Sequence, residues 1–311
     1  MATRTQSIGA LAGPATGRAA FGRFLEREAV FSWLMLAPAV LFLIGFVAYP
    51  FVYGIYLSLE AREVGRDGVF VGLANFVANM RDPVFWQVVR NTVVYTGAAT
   101  VVKLVGGLGL ALVMNQRFRM KNAVRASLLL PWIVPTALST IAWMWIFDPS
   151  FSVINWLLLH SGLASSGVPW LAEGKLAMVA IIIANVWRGL PFYAVTLLAA
   201  LQTIPHELYE AAAIDGATPR KRFVHVTLPY LRAVLLITTM FSVIWTFSDF
   251  QLVYVLTGGG PSNATHLFAT YAFNIAMGAG ELGQGASIAL SMFPPLLLVI
   301  AVLSIYLRRD Q

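Results

Sequence analysis

Six stretches of this chain are each long and apolar enough to cross a lipid bilayer, at about 31–58, 89–114, 124–147, 176–200, 232–256 and 285–307. Crossing ~30 Å of hydrocarbon takes roughly 20 helical residues. Within lipid, a helix pairs its own backbone donors and acceptors, whereas an open strand leaves them orphaned. The runs therefore predict an all-α polytopic membrane protein with six transmembrane helices. Of the 311 residues, 59% are hydrophobic and 11% charged, against about a quarter charged in soluble domains.

Charge sets the expected orientation. If the spans alternate, one side collects Arg4, Arg18, Arg23, Arg27, Arg117, Arg119, Lys121, Arg125, Arg220, Lys221, Arg222, Arg232, Arg308 and Arg309. The other side has Arg62, Arg66, Arg81 and Lys175. Cytoplasmic loops are the Lys- and Arg-rich ones, so both termini are expected in the cytoplasm. Residues 1–28 read as a cytoplasmic tail, and 29–311 as the transmembrane domain. The Arg-containing, acid-poor start would also suit a transit peptide. The apolar run from Ala29 to Leu59 far exceeds the 7–15 residues of a signal-peptide core.

The net charge of +7 comes without interleaved aromatic and basic clusters, which disfavours nucleic-acid binding. With no cysteine, disulfides, thiolate metal sites and cysteine nucleophiles are excluded. His206-Glu207 resembles the start of a zinc-binding helix, but the residue at 210 is Glu, so the paired ligand is absent. His160, His225 and His266 are isolated. No catalytic residue and no metal site is expected.

The longer outer segments are about 60–88, 148–175 and 257–284. Residues 147–163 suit a short interfacial helix with Trp156 at the headgroup level. "LTGGGPSNATH" (256–266) lacks the Gly-Lys-Ser/Thr of a phosphate loop and reads as a flexible turn. Asn263-Ala264-Thr265 is a formal glycosylation sequon. Prolines 38, 50, 131, 135, 191, 294 and 295 predict kinks, and Gly107 with Ala111 allows close helix contact.

Between the fourth and fifth runs lies "YEAAAIDGATPRKRFVHVTLP", Tyr209 to Pro229. Pro205, Glu207 and Glu210 suit the start of a helix over 204–214. Ala211 to Ala213 are strong helix formers, and Gly216 suits its left-handed end. A second short helix is expected from about Thr218 to Thr227, closed by Leu228-Pro229. The small alanine face beside Glu210 would admit another protein's backbone. A connector with Arg220, Lys221 and Arg222 on anionic lipid fits these residues equally well.

Glu210-Ala211-Ala212, Gly216, Val226 and Leu228-Pro229 resemble the cytoplasmic signature of permease subunits of ATP-binding-cassette importers. That signature runs Glu-Ala-Ala, three residues, Gly, nine residues, Ile, one residue, Leu-Pro; Val226 replaces the Ile. "LLPWIVP" (129–135), "WRGLPFYAVTLLAALQTIPHELYEAAAIDGA" (187–217) and "IWTFSDFQLVYVLTGGGP" (244–261) are similar to the carbohydrate group of that family. These stretches look like the first permease of maltose-type and glycerol-3-phosphate-type importers. The ending "IYLRRDQ" lacks the Gly-Ala-Val-Lys-Gly-like close common in the second permease.

The resemblance implies the type I importer permease fold and a place in a prokaryotic cytoplasmic (inner) membrane. It implies a coupling loop at about 201–231, in which Glu210, Ala211, Ala212, Gly216, Val226, Leu228 and Pro229 serve ATPase coupling. The implied partners are a second permease subunit, an ATPase dimer and an extracytoplasmic solute-binding protein. ATP and magnesium would sit on the ATPase, leaving this chain without a cofactor and without enzymatic activity of its own. The implied function is import of a sugar or polyol. A permease for a non-carbohydrate solute shares the signature less extensively. An autonomous channel or secondary transporter is the alternative of another class, although the internal repeats usual in secondary transporters are not seen. An intramembrane enzyme would need clustered catalytic groups.

Charges inside a bilayer are costly and mark function by default. Lys103, Arg188 and Asp249 fall within the second, fourth and fifth runs. Arg188 and Asp249 are expected to pair across the pathway, or Asp249 to hydrogen-bond solute hydroxyls. Asn185, Trp187, Arg188, Trp245, Ser248, Asp249 and Gln251 are the candidate solute pathway, with Thr246 among them. They mix aromatic faces for sugar C–H groups with polar groups for hydroxyls.

Overall fold

The computed structural model describes residues 28–308 and divides into two units, Met1–Tyr56 and Leu57–Gln311. Arg4, Arg18, Arg23, Arg27, Arg309 and almost all of the expected 1–28 tail lie outside the described residues. The first unit contains helix α1 (Glu28–Leu43), a π turn (Ile44–Ala48) and most of α2 (Tyr49–Ser58). Pro38 lies inside α1.

The second unit opens with a two-stranded antiparallel ribbon, β1 (Glu60–Ala61) and β2 (Val69–Phe70), in the register Glu60 to Phe70. This ribbon and an isolated antiparallel bridge between Glu63 and Glu281 are the β pairings among the described residues. It leads through α3 (Ala74–Arg81) into α4 (Pro83–Met114). Asp82 starts α4 by accepting the Val84 N–H at 2.9 Å, and Pro83 occupies a first-turn position that needs no donor. The other Asp82 oxygen takes the Tyr271 hydroxyl at 2.6 Å. Burial and this carboxylate both hold the Tyr271 phenol above its ordinary pKa.

The third expected span is two helices, α5 (Lys121–Ile133) and α6 (Thr136–Phe147), meeting at 95°. Pro135 has no N–H to continue the ladder, and it forces Val134 out of the helical region to ψ 129°. After α7 (Val153–His160), the interfacial helix expected near Trp156, comes α8 (Gly174–Leu201). Helices α4 and α8 pack closely because Gly107 is bare: a Cβ there would fall on Tyr193.

The expected helix at 204–214 is α9 (His206–Ile214). The expected second short helix does not close at Leu228-Pro229. Instead α10 (Pro219–Arg222), a π turn (Phe223–Thr227) and α11 (Leu228–Phe247) run on as one 29-residue helix. In the π turn Leu228 N–H reaches back to Phe223 O. That wider turn accommodates the ring and missing donor of Pro229 without a break. The fifth span is correspondingly displaced from the expected 232–256. It ends at Phe247, and α12 (Gln251–Leu256) is a separate helix.

The glycine-rich stretch after α12 is pinned rather than loose in its contacts. Asn91 donates to the carbonyls of Asn263 (3.0 Å) and His266 (3.2 Å), and the Thr265 hydroxyl donates to Gly260 O (2.6 Å). The buried Thr265 side chain of the sequon is therefore occupied in structure. Burial lowers the pKa of His266, whose ring fills the space a Gly259 Cβ would take. Helix α13 (Phe268–Phe273), a π turn, α14 (Leu282–Ser291) and α15 (Phe293–Arg308) complete the described chain.

By length and composition, the described residues hold five spanning helices, or six if the bent α5–α6 pair is one span. Gly283, at the start of α14, touches the ribbon so closely that a Cβ would fall on the Glu60 carbonyl. Gly283→Val is expected to destabilise the detergent-purified protein by about 2 kcal/mol through overpacking, read as a lowered unfolding midpoint. An unchanged midpoint would show that the ribbon yields freely.

Candidate functional site: a buried polar network beside an aromatic cavity

Asp249 sits where α11 has ended and α12 has not begun, so its carboxylate enters the bundle from a break instead of a helix side. Its Oδ2 accepts from Tyr95 Oη (2.8 Å, α4), Asn185 Nδ2 (2.9 Å, α8) and Arg188 Nη2 (3.1 Å, α8). Its Oδ1 accepts the Leu252 N–H at 3.4 Å, at the head of α12. Arg188 also donates through Nη1 to Thr136 Oγ1 (3.2 Å) at the start of α6.

Lys103 extends the network. Its Nζ donates to Asn185 Oδ1 (2.9 Å) and to Thr246 Oγ1 (2.7 Å, α11). Asn185 thus turns its amide nitrogen to a carboxylate and its oxygen to an ammonium, the orientation these neighbours demand. Four elements, α4, α6, α8 and α11, are joined by polar groups at the depth of the spans. The Asp249 side chain is only 3% exposed and that of Arg188 24%. A charge pair this buried holds together only through such added hydrogen bonds.

Beside the network lies a cavity of about 240 Å³. Lys103, Asn185, Arg188 and Thr246 form its polar wall, with Trp132, Phe192 and Trp245 opposite in chemistry. The rings pack on one another, Trp132 with Phe192 at 5.3 Å, Phe192 with Trp245 at 5.0 Å and Trp132 with Trp245 at 5.7 Å.

Of the expected pathway residues, Asn185, Arg188 and Thr246 belong to both the network and the cavity, Asp249 to the network and Trp245 to the cavity. Trp187 does not line the cavity; it packs edge-on against Trp143 at 5.8 Å. Ser248 and Gln251 are exposed and outside the cavity. Sequence reasoning missed Tyr95, Trp132, Thr136 and Phe192. One signal was available: Thr92, Thr96, Thr100 and Lys103 recur at helical spacing along a single face of α4, and all are buried.

The loop at 206–229 has its own geometry. Gly216 adopts φ +72°, with Gly216 N–H to Ala213 O (3.1 Å) and Ala217 N–H to Ala212 O (2.8 Å) closing α9. Glu210, Ala211 and Ala213 are exposed, and Ile214 is 86% exposed. Glu210 Oε1 lies 3.3 Å from His206 Nδ1. The inner side of α9 is anchored by Tyr209 Oη to Thr227 Oγ1 at 2.9 Å. Val226 packs inward, as Tyr209 does, on a cluster including Leu197, Leu201, Ile204 and Leu231. Leu228 and Pro229 instead line a surface groove with Val224 and Arg232.

Residues 103–309, which contain this loop and all of the network except Tyr95, match the family model of binding-protein-dependent transport system inner membrane components. The chain belongs to this family. It is a membrane-spanning permease subunit of an ATP-binding-cassette importer. It is 37% identical over 284 residues to the trehalose/maltose transport system permease protein MalF of Thermococcus litoralis, covering 91% of this chain and 94% of that one. The sulfoquinovosyl glycerol transport system permease protein SmoG of Agrobacterium fabrum is 36% identical, covering 88% of both chains. The lactose transport system permease protein LacF of Rhizobium radiobacter is 34% identical, covering 93% and 95%. Among solved structures, a chain of a bacterial alginate importer, in complex with an alginate pentasaccharide-bound periplasmic protein, superposes with a TM-score of 0.80. At 20% identity over 92% of this chain and 96% of that one, the likeness establishes the shared permease fold.

Proposed function

We propose that this permease moves a sugar or polyol-type solute across the cytoplasmic membrane of a prokaryote, as one of a pair of permease subunits. An ATPase dimer docks at the 201–231 loop through Glu210, Ala211, Ala212 and Gly216, and a solute-binding protein delivers from the opposite side. ATP and magnesium belong to the ATPase. The excess of Lys and Arg on one side of the alternating spans supports cytoplasmic termini. Systems for trehalose and maltose, for sulfoquinovosyl glycerol and for lactose among its relatives support a carbohydrate solute.

The observation that carries the reading is the cavity lined from the candidate spanning helices, with aromatic rings on one wall and hydrogen-bonding groups on the other. Sugars present C–H faces that stack on rings and hydroxyls that need donors and acceptors.

The test is reconstitution. The tagged chain is expected to co-purify with a second permease and an ATPase, and in proteoliposomes with the binding protein to accumulate labelled disaccharide only when ATP is supplied. An active lone chain, or uptake indifferent to ATP, would overturn the reading. Trp245→Ala is expected to weaken solute binding by the purified complex several-fold, by about 1 kcal/mol of lost ring contact. Equal binding by that variant would remove the aromatic wall from the pathway.

A further inference from the structure

Lys103 is more than the network needs. It is 3% exposed, in the C-terminal half of α4, and it lines the cavity. Both acceptors of its ammonium, Asn185 Oδ1 and Thr246 Oγ1, are neutral. An ammonium has three donors, and the third has no partner among the described residues. Asp249, the nearby carboxylate, is already in contact with Arg188. Among the described residues, no carboxylate lies within ion-pair distance of Lys103. A buried ammonium with no carboxylate in contact is unfavourable unless it gives up its proton or gains an anion beside it.

The position of the lysine is built. On α8, Gly189 is bare where a Cβ would stand 2.7 Å from Lys103 Cδ, so the stem lies directly against that helix. The surrounding formal charges are Lys103 and Arg188 against Asp249, and Asp249 does not line the cavity. The cavity wall is therefore cationic, with one charge left unmatched.

We propose that Lys103 is the subsite for an anionic group on the transported solute, so that the carbohydrate is an acidic one bearing a carboxylate, sulfonate or phosphate. This rests on reading the cavity as the sugar pathway. The anion supplies the missing counter-charge and takes the third N–H, while the sugar ring meets Trp132, Phe192 and Trp245.

The assembled, detergent-purified complex without its binding protein is titrated with glucose, glucuronate, glucose 6-phosphate, 6-deoxy-6-sulfoglucose and inorganic sulfate. At least one acidic sugar is expected to bind about tenfold or more tightly than glucose, the scale of a charge-assisted hydrogen bond. Which acidic sugar does so separates carboxylate, phosphate and sulfonate. The ratio is expected to fall toward one in Lys103→Gln and to return in Lys103→Arg. If Lys103→Gln does not assemble, Gly189→Ala, which displaces the lysine without removing it, is expected to lower the same ratio. Glucose bound as tightly as every acidic sugar overturns the Lys103 subsite and leaves the carbohydrate reading standing. An acidic preference that persists in Lys103→Gln, or is unmoved by Gly189→Ala where that variant is used, also overturns it. Sulfate bound only when Lys103 is present, with no sugar bound, keeps the anion subsite and overturns the carbohydrate reading. No binding of any probe overturns both.

Discussion

Replacing Asp249 by alanine is expected to destabilise the folded permease by about 4 kcal/mol, the scale of breaking a buried ion pair from one side. One carboxylate oxygen accepts from Tyr95, Asn185 and Arg188. Removing it orphans a fully buried phenol and leaves the Arg188 guanidinium without its counter-charge. The informative comparison is the double variant Asp249→Ala with Arg188→Met. Removing both charges eliminates the uncompensated cation, so the pair is expected to be less destabilised than Asp249→Ala alone. Thermal unfolding of the four proteins in one detergent measures the coupling. Simple additivity would mean that the 3.1 Å contact contributes nothing.

Glu210→Lys is expected to abolish ATP-driven uptake, by tenfold or more, while the protein remains folded in the membrane. The Glu210 side chain is 68% exposed, and its ion-pair contact within the chain is the surface histidine His206. A surface pair of that kind is worth little to stability, so lost transport would report a lost docking contact rather than unfolding. Gly216→Leu tests the same loop by another route. At φ +72° a side chain strains the backbone by about 1–2 kcal/mol and loosens the turn that ends the alanine helix. Vesicle uptake and ATP hydrolysis are measured together. Transport at the original rate in both variants would exclude this loop from coupling.

The loop was legible because its signals are local. An alanine run, a glycine at the left-handed position and a proline in the first turn act within a few residues of themselves. The sequence alone did not reveal that Val226 and Tyr209 turn inward to one cluster while Glu210 and Ile214 face out. That division depends on which side of α9 meets α8 and α11. The continuous helix through Pro229 was also misread, because a π turn removes the penalty that a proline ordinarily brings.

Within the membrane, the sequence identified Lys103, Arg188 and Asp249, because an ionised group in hydrocarbon is expensive wherever it sits. It did not identify Tyr95, Thr136, Trp132 or Phe192. A tyrosine or tryptophan in an apolar run looks the same whether it packs, anchors or binds.

What the sequence by itself determined is therefore the class of molecule: spanning helices, their number to within one, the sign of charge on each side, and the helix and glycine turn of the 206–216 loop. Each follows from transfer of a segment between water and lipid, or from backbone preferences a few residues long. Tertiary structure decided which polar groups meet. The break after Phe247 aims Asp249 at Arg188, 61 residues earlier in the chain, and the bend at Pro135 brings Thr136 to the same guanidinium. Hydrogen bonds act over about 3 Å, so they exist only once the packing of α4, α6, α8 and α11 has set those distances.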